Sequence, residues 1–190
     1  FLHACNEGYL LYEYKNLAKR FDTEHWEGTA NVLAGESMSD VLFQKTFDQP
    51  VRFVTYSGIR DLSTIQTVKH QVSGTEKKTK DWVTLDKFHI LFAFAAENMA
   101  AVKSNIKKNS ILQSQNLPPI NSLEEITHKS DEVFAEACQR KSRVTIVTRA
   151  GYVLRGYIQS FDHDVLYMRI SGRFVIVYRH GILEFQNGIV

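Results

Sequence analysis

The triplet Tyr178-Arg179-His180 sets three kinds of chemistry side by side: a ring that can stack, a guanidinium that can grip phosphate, and an imidazole that can hydrogen-bond. It closes a strongly basic stretch. Between Gln139 and His180 lie eight Lys/Arg (Arg140, Lys141, Arg143, Arg149, Arg155, Arg169, Arg173 and Arg179) and two acids (Asp162 and Asp164). That is a net +6 within a chain whose net charge is +2. Seven of the eight are arginine, whose planar fork suits bidentate phosphate contact and stacking on bases. Tyr152, Tyr157, Tyr167 and Tyr178 interleave with them. Arginine mixed with tyrosine is the composition expected of a surface that binds single-stranded nucleic acid. Within the set, Tyr157 and Tyr167 read as core residues, and Tyr178 and Arg179 as binding residues.

Other chemistries find no support in the spacing. The seven histidines (His3, His25, His70, His89, His128, His163 and His180) form no HxH or HExxH pattern, so no metal site is expected. No nucleophile elbow, phosphate-binding glycine loop or dinucleotide fingerprint occurs. Asp131-Glu132 and Glu124-Glu125 read as helix-start acids rather than a catalytic pair. No enzyme activity and no cofactor are expected. Cys5 and Cys138 lie far apart without a CxxC pattern and read as cytosolic thiols. The longest apolar run, Ile90 to Ala96, is far short of the ~18–20 residues that span a bilayer. A cytoplasmic, non-membrane protein is expected. The chain begins with Phe1 rather than Met, as expected of a piece without its true start.

The elements that must hold these residues fall into four regions. With 190 residues, 44% apolar and 12% aromatic, the chain can build real cores. Residues 1–49 read as helical, with an aromatic face from Tyr9 to Leu17 and a second helix from Ser39 towards Phe47. Residues 50–96 read as β-rich: strands at Val51–Tyr56, Ile65–Val68, Trp82–Leu85 and Phe88–Phe94, and an exposed loop at Gly74–Lys80. Residues 97–121 read as a connector that starts helical at Met99 and Val102 and stops at Pro118-Pro119. Ser122 to Glu125 fits a capping box for a short helix, and a better helix runs from Ser130 to about Lys141. Five strands follow, at Val144–Thr148, Val153–Phe161, Val165–Ile170, Phe174–Tyr178 and Ile182–Phe185, with turns at Ala150-Gly151 and Ser171-Gly172 and a bend at Gly156.

The two β regions repeat each other. Residues 51–72 align without a gap to 144–165, with eight of 22 positions identical: Val51/Val144, Val54/Val147, Thr55/Thr148, Gly58/Gly151, Ile65/Ile158, Gln66/Gln159, His70/His163 and Val72/Val165. Each copy ends in an Ile-Leu pair. A shared glycine turn in an ungapped match points to duplication of one small domain.

The second copy resembles the Hfq branch of the Sm-like RNA-binding family over about residues 130–186. The resemblance rests on Gly151, Gly156, Ser160-Phe161-Asp162 and Tyr178-Arg179-His180-Gly181 after a short helix. It implies small, strongly bent five-strand barrels whose edge strands pair between neighbours in a ring. It also implies a pore-side pocket for uridine-rich RNA at Tyr178, Arg179 and His180. His163 and Asp164 stand where the family has a polar residue and a stacking aromatic. On the opposite face, which reads adenine-rich RNA, Tyr152 would stack a base and Arg155 would hold phosphate. Arg140, Lys141 and Arg143 match a basic rim at the helix end. The first copy departs further: Asp86-Lys87-Phe88-His89 stands opposite the Tyr178 motif, and Ser63 opposite Gly156.

The fold expected is therefore α+β and mostly β: two tandem Sm-like five-strand barrels, each preceded by a helix, plus an N-terminal helical segment. The expected division is a helical segment at 1–37, a degenerate Sm-like domain at 38–96, a Pro-containing connector at 97–129 and an Hfq-like domain at 130–190. The expected function is single-stranded RNA binding (U-rich or A-rich) by a homo-oligomer, with three chains making a six-barrel ring. The alternative is an Sm-fold protein-interaction module whose RNA pockets have decayed.

Overall fold

The computed structural model describes residues 49–68, 70–120 and 131–188. The helices expected before Asp48 and the capping-box helix at Ser122 lie outside the described residues. Runs of β-branched and aromatic residues broken by Gly and Ser turns form strands where the chain can pair them. The first five are β1 (Val51–Thr55), β2 (Gly58–Val68), β3 (Gln71–Glu76), β4 (Trp82–Asp86) and β5 (Ile90–Ala95). A connector follows with α1 (Met99–Lys103), β6 (Ile106–Lys108) and α2 (Ser110–Gln115). Helix α3 (Asp131–Arg140) then leads into β7 (Arg143–Thr148), β8 (Tyr152–Phe161), β9 (Val165–Ile170), β10 (Arg173–Tyr178) and β11 (Ile182–Asn187).

All strands join one antiparallel sheet in the order β11-β7-β8-β9-β10-β5-β1-β2-β3-β4, with β6 added to β8. The two sets of five have one internal order: the fifth strand lies beside the first, which is followed by the second, third and fourth. Matching hydrogen bonds accompany it. Tyr56 N donates to His89 O and Arg149 N to Gly181 O, each joining the end of a first strand to a turn before a fifth. The sets meet where β10 pairs with β5, Ile176 opposite Ala93 and Val177 opposite Phe92.

Burial follows the alternation of side chains along each strand. In β8, Leu154, Gly156 and Ile158 face inward, and Arg155 and Tyr157 face outward. The core gathers Ile146, Leu154, Leu166, Met168, Val175 and Val177 from the second set. It takes in Val54, Leu91, Phe92 and Phe94 from the first. Helix α3 starts with Asp131 and Glu132 and ends with Arg140, as the helix dipole favours. It packs Phe134 against Phe161 and Phe185, with ring centroids 5.8 and 5.1 Å apart.

Several expected boundaries shift. The short strand expected at Ile65–Val68 is the end of the eleven-residue β2. Its polar middle is held to β1 by the Arg52–Asp61 ion pair at 2.7 Å. The loop expected at Gly74–Lys80 narrows to a turn after Glu76, because Gly74 and Thr75 pair with Val83 and Trp82. The strand expected from Phe88 begins at Ile90, since Asp86 caps a 3-10 turn over Lys87–His89. Strand β6 and helix α2 were not foreseen in the connector. Tyr167 is fully buried as expected, but Tyr157 is 47% exposed and is not a core residue.

Gly151 turns the β7–β8 hairpin at φ +77°, where a side chain would be strained. Gly156 serves close approach instead: a Cβ there would press into the Arg169 carbonyl and lie 2.9 Å from Ile170 Cγ1. Replacing Gly156 with valine should therefore destabilise the fold by about 1–3 kcal/mol through overpacking. Thermal unfolding would register this as a lowered midpoint, and an unchanged midpoint would contradict the packing described.

Candidate nucleic-acid interface

The Tyr178 motif sits where β10 ends and a 3-10 turn over Arg179–Gly181 leads into β11. All three residues are buried, with 2%, 8% and 7% of their surface exposed for Tyr178, Arg179 and His180. Arg179 points inward. Its Nη1 donates to Asp162 O at 2.8 Å, and its Nη2 to Asp131 Oδ1 at 2.7 Å. Its guanidinium carbon lies 4.9 Å from the centre of the Phe134 ring. It thus ties the strand end to α3, through contacts that satisfy a buried charge.

Asp162, from the Ser-Phe-Asp segment, organises the same corner. Its Oδ1 accepts from Asp164 N and Val165 N, and its Oδ2 from the Tyr167 hydroxyl. Burial pushes its carboxyl up from the ordinary carboxylate value, against the pull of these hydrogen bonds. The side chain caps the turn beside His163, as its position in the sequence suggests.

His180 bridges the two sets of strands. Its Nε2 lies 3.0 Å from Ile90 O. A carbonyl only accepts, so Nε2 carries the proton. Burial pushes the imidazole down to about 4, against the raising influence of the Ile90 and Phe88 backbone and the Asp164 and Asp86 carboxylates. The ring is therefore neutral at pH 7. It belongs to a line of rings from surface to interior: His70 to Phe88 at 6.1 Å, Phe88 to His180 at 5.5 Å, and His180 to Tyr178 at 5.5 Å.

The remaining sequence candidates are dispersed. His163 is exposed near this corner, with Nδ1 3.0 Å from Asp164 Oδ1. Tyr152 is half-buried: Phe92 meets it edge-on at 5.4 Å, and Lys108 of β6 lies 5.4 Å over its ring. Arg155 is exposed on β8, and its backbone N donates to Asn105 O. Arg140 is exposed and pairs with Glu136, one helical turn earlier. Lys141 turns the chain out of α3 at φ +49°. Arg143 is exposed and donates from Nη2 to Asn105 Oδ1 at 2.9 Å.

Sequence reasoning counted Arg169 only in the basic stretch and set Tyr157 in the core, whereas Tyr157 lies on the outer face. The pairing register sets Arg143, Tyr157 and Arg169 in one row across β7, β8 and β9. The signal was available in the alternation Leu154-Arg155-Gly156-Tyr157-Ile158, which places Tyr157 on the face of Arg155.

A strand-rich antiparallel sheet fits the Sm-like fold. The RNA-binding protein Hfq of Natranaerobius thermophilus is 36% identical over 52 residues, covering 27% of this chain and 62% of that protein. The RNA-binding protein Hfq of a Geobacillus strain is 29% identical over 55 residues, covering 29% of this chain and 74% of that one. Both likenesses are to proteins named RNA-binding protein Hfq, over about the same length of this chain. The chain spans only 62% of the length of the first of these relatives. No family model matches. A crystal structure of Hfq, described as a pleiotropic translational regulator, aligns to 30% of this chain and 93% of its own. Its identity is 21% and its TM-score 0.29.

The depressed His180 value has a consequence for stability. The unfolded chain takes up this proton near pH 6.5, and the folded chain only near 4. The contribution is fully present above pH 6.5 and is lost as pH falls from there towards 4, at about 1.4 kcal/mol per pH unit. Replacing His180 with glutamine should flatten the pH dependence of urea unfolding across that window by about one proton. Equal slopes for the two proteins would show that His180 is not buried neutral.

Proposed function

We propose that this chain is a self-assembling, Hfq-like RNA-binding protein of the cytoplasm that acts by binding RNA as a chaperone or post-transcriptional regulator. In this reading residues 38–96 and 130–190 are two Sm-like units, joined by the connector at 97–129. Binding of single-stranded RNA, U-rich or A-rich, is supported by the likeness to RNA-binding relatives and by the net +6 between Gln139 and His180. The Tyr178 motif and His163 border the corner where the two units meet. Arg155 and the Arg140, Lys141 and Arg143 cluster supply exposed cations, and Tyr152 lies under the connector.

The observation that carries the reading is the β10–β5 junction. The counterpart of β10 in the first unit is β4, and the counterpart of β5 in the second is β11. Among the described residues these two strands end the strand order. Where the junction is made, β5 and residues 174–178 are buried throughout. Where it is not, β4 alternates between exposed and half-buried, and Trp82 is 52% exposed. Its counterpart Phe174 is 8% exposed. Two complementary edges on one chain favour head-to-tail closure, for which three chains and six units is the proposed ring.

Two measurements test this. Filter binding of short U-rich and A-rich RNAs should show retention that falls steeply with salt, and no retention of either would refute RNA binding. By light scattering the protein should run as a multimer of its 21.8 kDa chain. Trp82→Lys with Thr84→Lys, placing charge on the free edge, should reduce it to single chains with unchanged circular dichroism. A wild-type protein that is monomeric at micromolar concentration would refute the assembly.

A further inference from the structure

We infer that the outer face of β7, β8 and β9 is a stacking site for single-stranded nucleic acid, with Tyr157 as the platform and Arg143 and Arg169 as its flanking phosphate contacts. The inference rests on the RNA-binding reading and gives it a location away from the buried Tyr178 motif.

Geometry comes first. Arg143 is the register partner of Tyr157 on one side, and Arg169 on the other. Neighbouring strands lie about 4.8 Å apart, so the row of three side chains spans about 10 Å. Tyr157 in the middle is 47% exposed, one of five large apolar or aromatic residues with that much free surface among the described residues. One step along the face Thr145 is paired with Arg155, which is also exposed. No acid stands among Arg143, Thr145, Arg155, Tyr157, Gln159 and Arg169.

The flanking cations are held ready. Arg143 donates to Asn105 Oδ1 at 2.9 Å. Arg169 donates from Nε to Gln159 Oε1 at 3.1 Å and from Nη1 to Gly172 O at 3.0 Å. These acceptors are neutral amide and carbonyl oxygens that orient the forks. In the first set of strands the forks of Arg52 and Arg60 meet carboxylates instead, Asp61 and Glu76.

Chemistry then selects the ligand. An exposed ring offers a stacking face to any base, and a guanidinium to either side meets the backbone that runs past it. Such a site takes single strands with little sequence preference, because every base has a flat face. A duplex keeps its bases inside and would not use the ring.

The test is fluorescence anisotropy with labelled oligo(U) and oligo(A) on the full chain. Tyr157→Ala should weaken both probes alike by about tenfold, while Tyr157→Phe stays near wild type, since only the ring is needed. Arg143→Gln with Arg169→Gln should flatten the log–log salt dependence by about 1.4, the loss of two phosphate contacts on a single strand. Circular dichroism and melting of the Tyr157 variants should match wild type, which separates lost binding from lost fold. Wild-type affinity in Tyr157→Ala would overturn the inference while leaving RNA binding intact. Loss confined to the arginine variants would likewise overturn it, describing a charged patch open to any polyanion, an acidic peptide included. Failure of the wild-type protein to bind either probe would remove the RNA-binding reading and this site together.

Discussion

The β10–β5 pairing joins the two sets of five strands into one sheet. Only two residue pairs form its ladder, Ile176 with Ala93 and Val177 with Phe92, yet the core runs through it. Leu91, Phe92 and Phe94 of the first set of strands pack into the cluster built by Ile146, Leu166 and Val177 of the second. The second set therefore completes its core with a strand from the first. His180 closes the junction at the Ile90 carbonyl, and burial keeps it neutral there. A charged imidazole would have to shed water to reach the same place, which is why the junction favours the unprotonated ring.

The same junction explains the Tyr178 motif. A sequence reading of ring, guanidinium and imidazole in a row suggests a binding site, because each group can contact RNA. The structure gives each an internal partner: Asp131 and Asp162 for Arg179, Ile90 for His180, and the ring line from Phe88 for Tyr178. Such partners come from 17, 48 and 90 residues away. Nothing local in the sequence distinguishes an arginine that will be clamped from one that will face solvent.

What was legible depended on how local the cause was. Strands β7 to β11 fall within a residue or two of their expected bounds, because alternation and the turns at Gly151 and Ser171-Gly172 are written in adjacent residues. The middle of β2 was hidden by Arg60, Asp61, Ser63 and Thr64, polar types that suggest a loop. Cross-strand ion pairs to Asp61 and Glu76 make that stretch a strand. Strand β6 was illegible for a related reason. Three residues carry no period, and its cause is the neighbouring edge of β8 at Tyr152–Leu154.

Charge placement follows the same logic and separates the two sets of strands more sharply than their shared strand order does. In the first set Arg52 and Arg60 cross to carboxylates on the neighbouring strands and so knit the sheet. In the second set Arg143 and Arg169 donate to an asparagine, a glutamine and a carbonyl, neutral groups that fix the direction of each fork. The strand order alone would make the two faces equivalent. The identity of the acceptor, amide or carboxylate, is what distinguishes them, and in the second set the oriented arginines flank an exposed tyrosine.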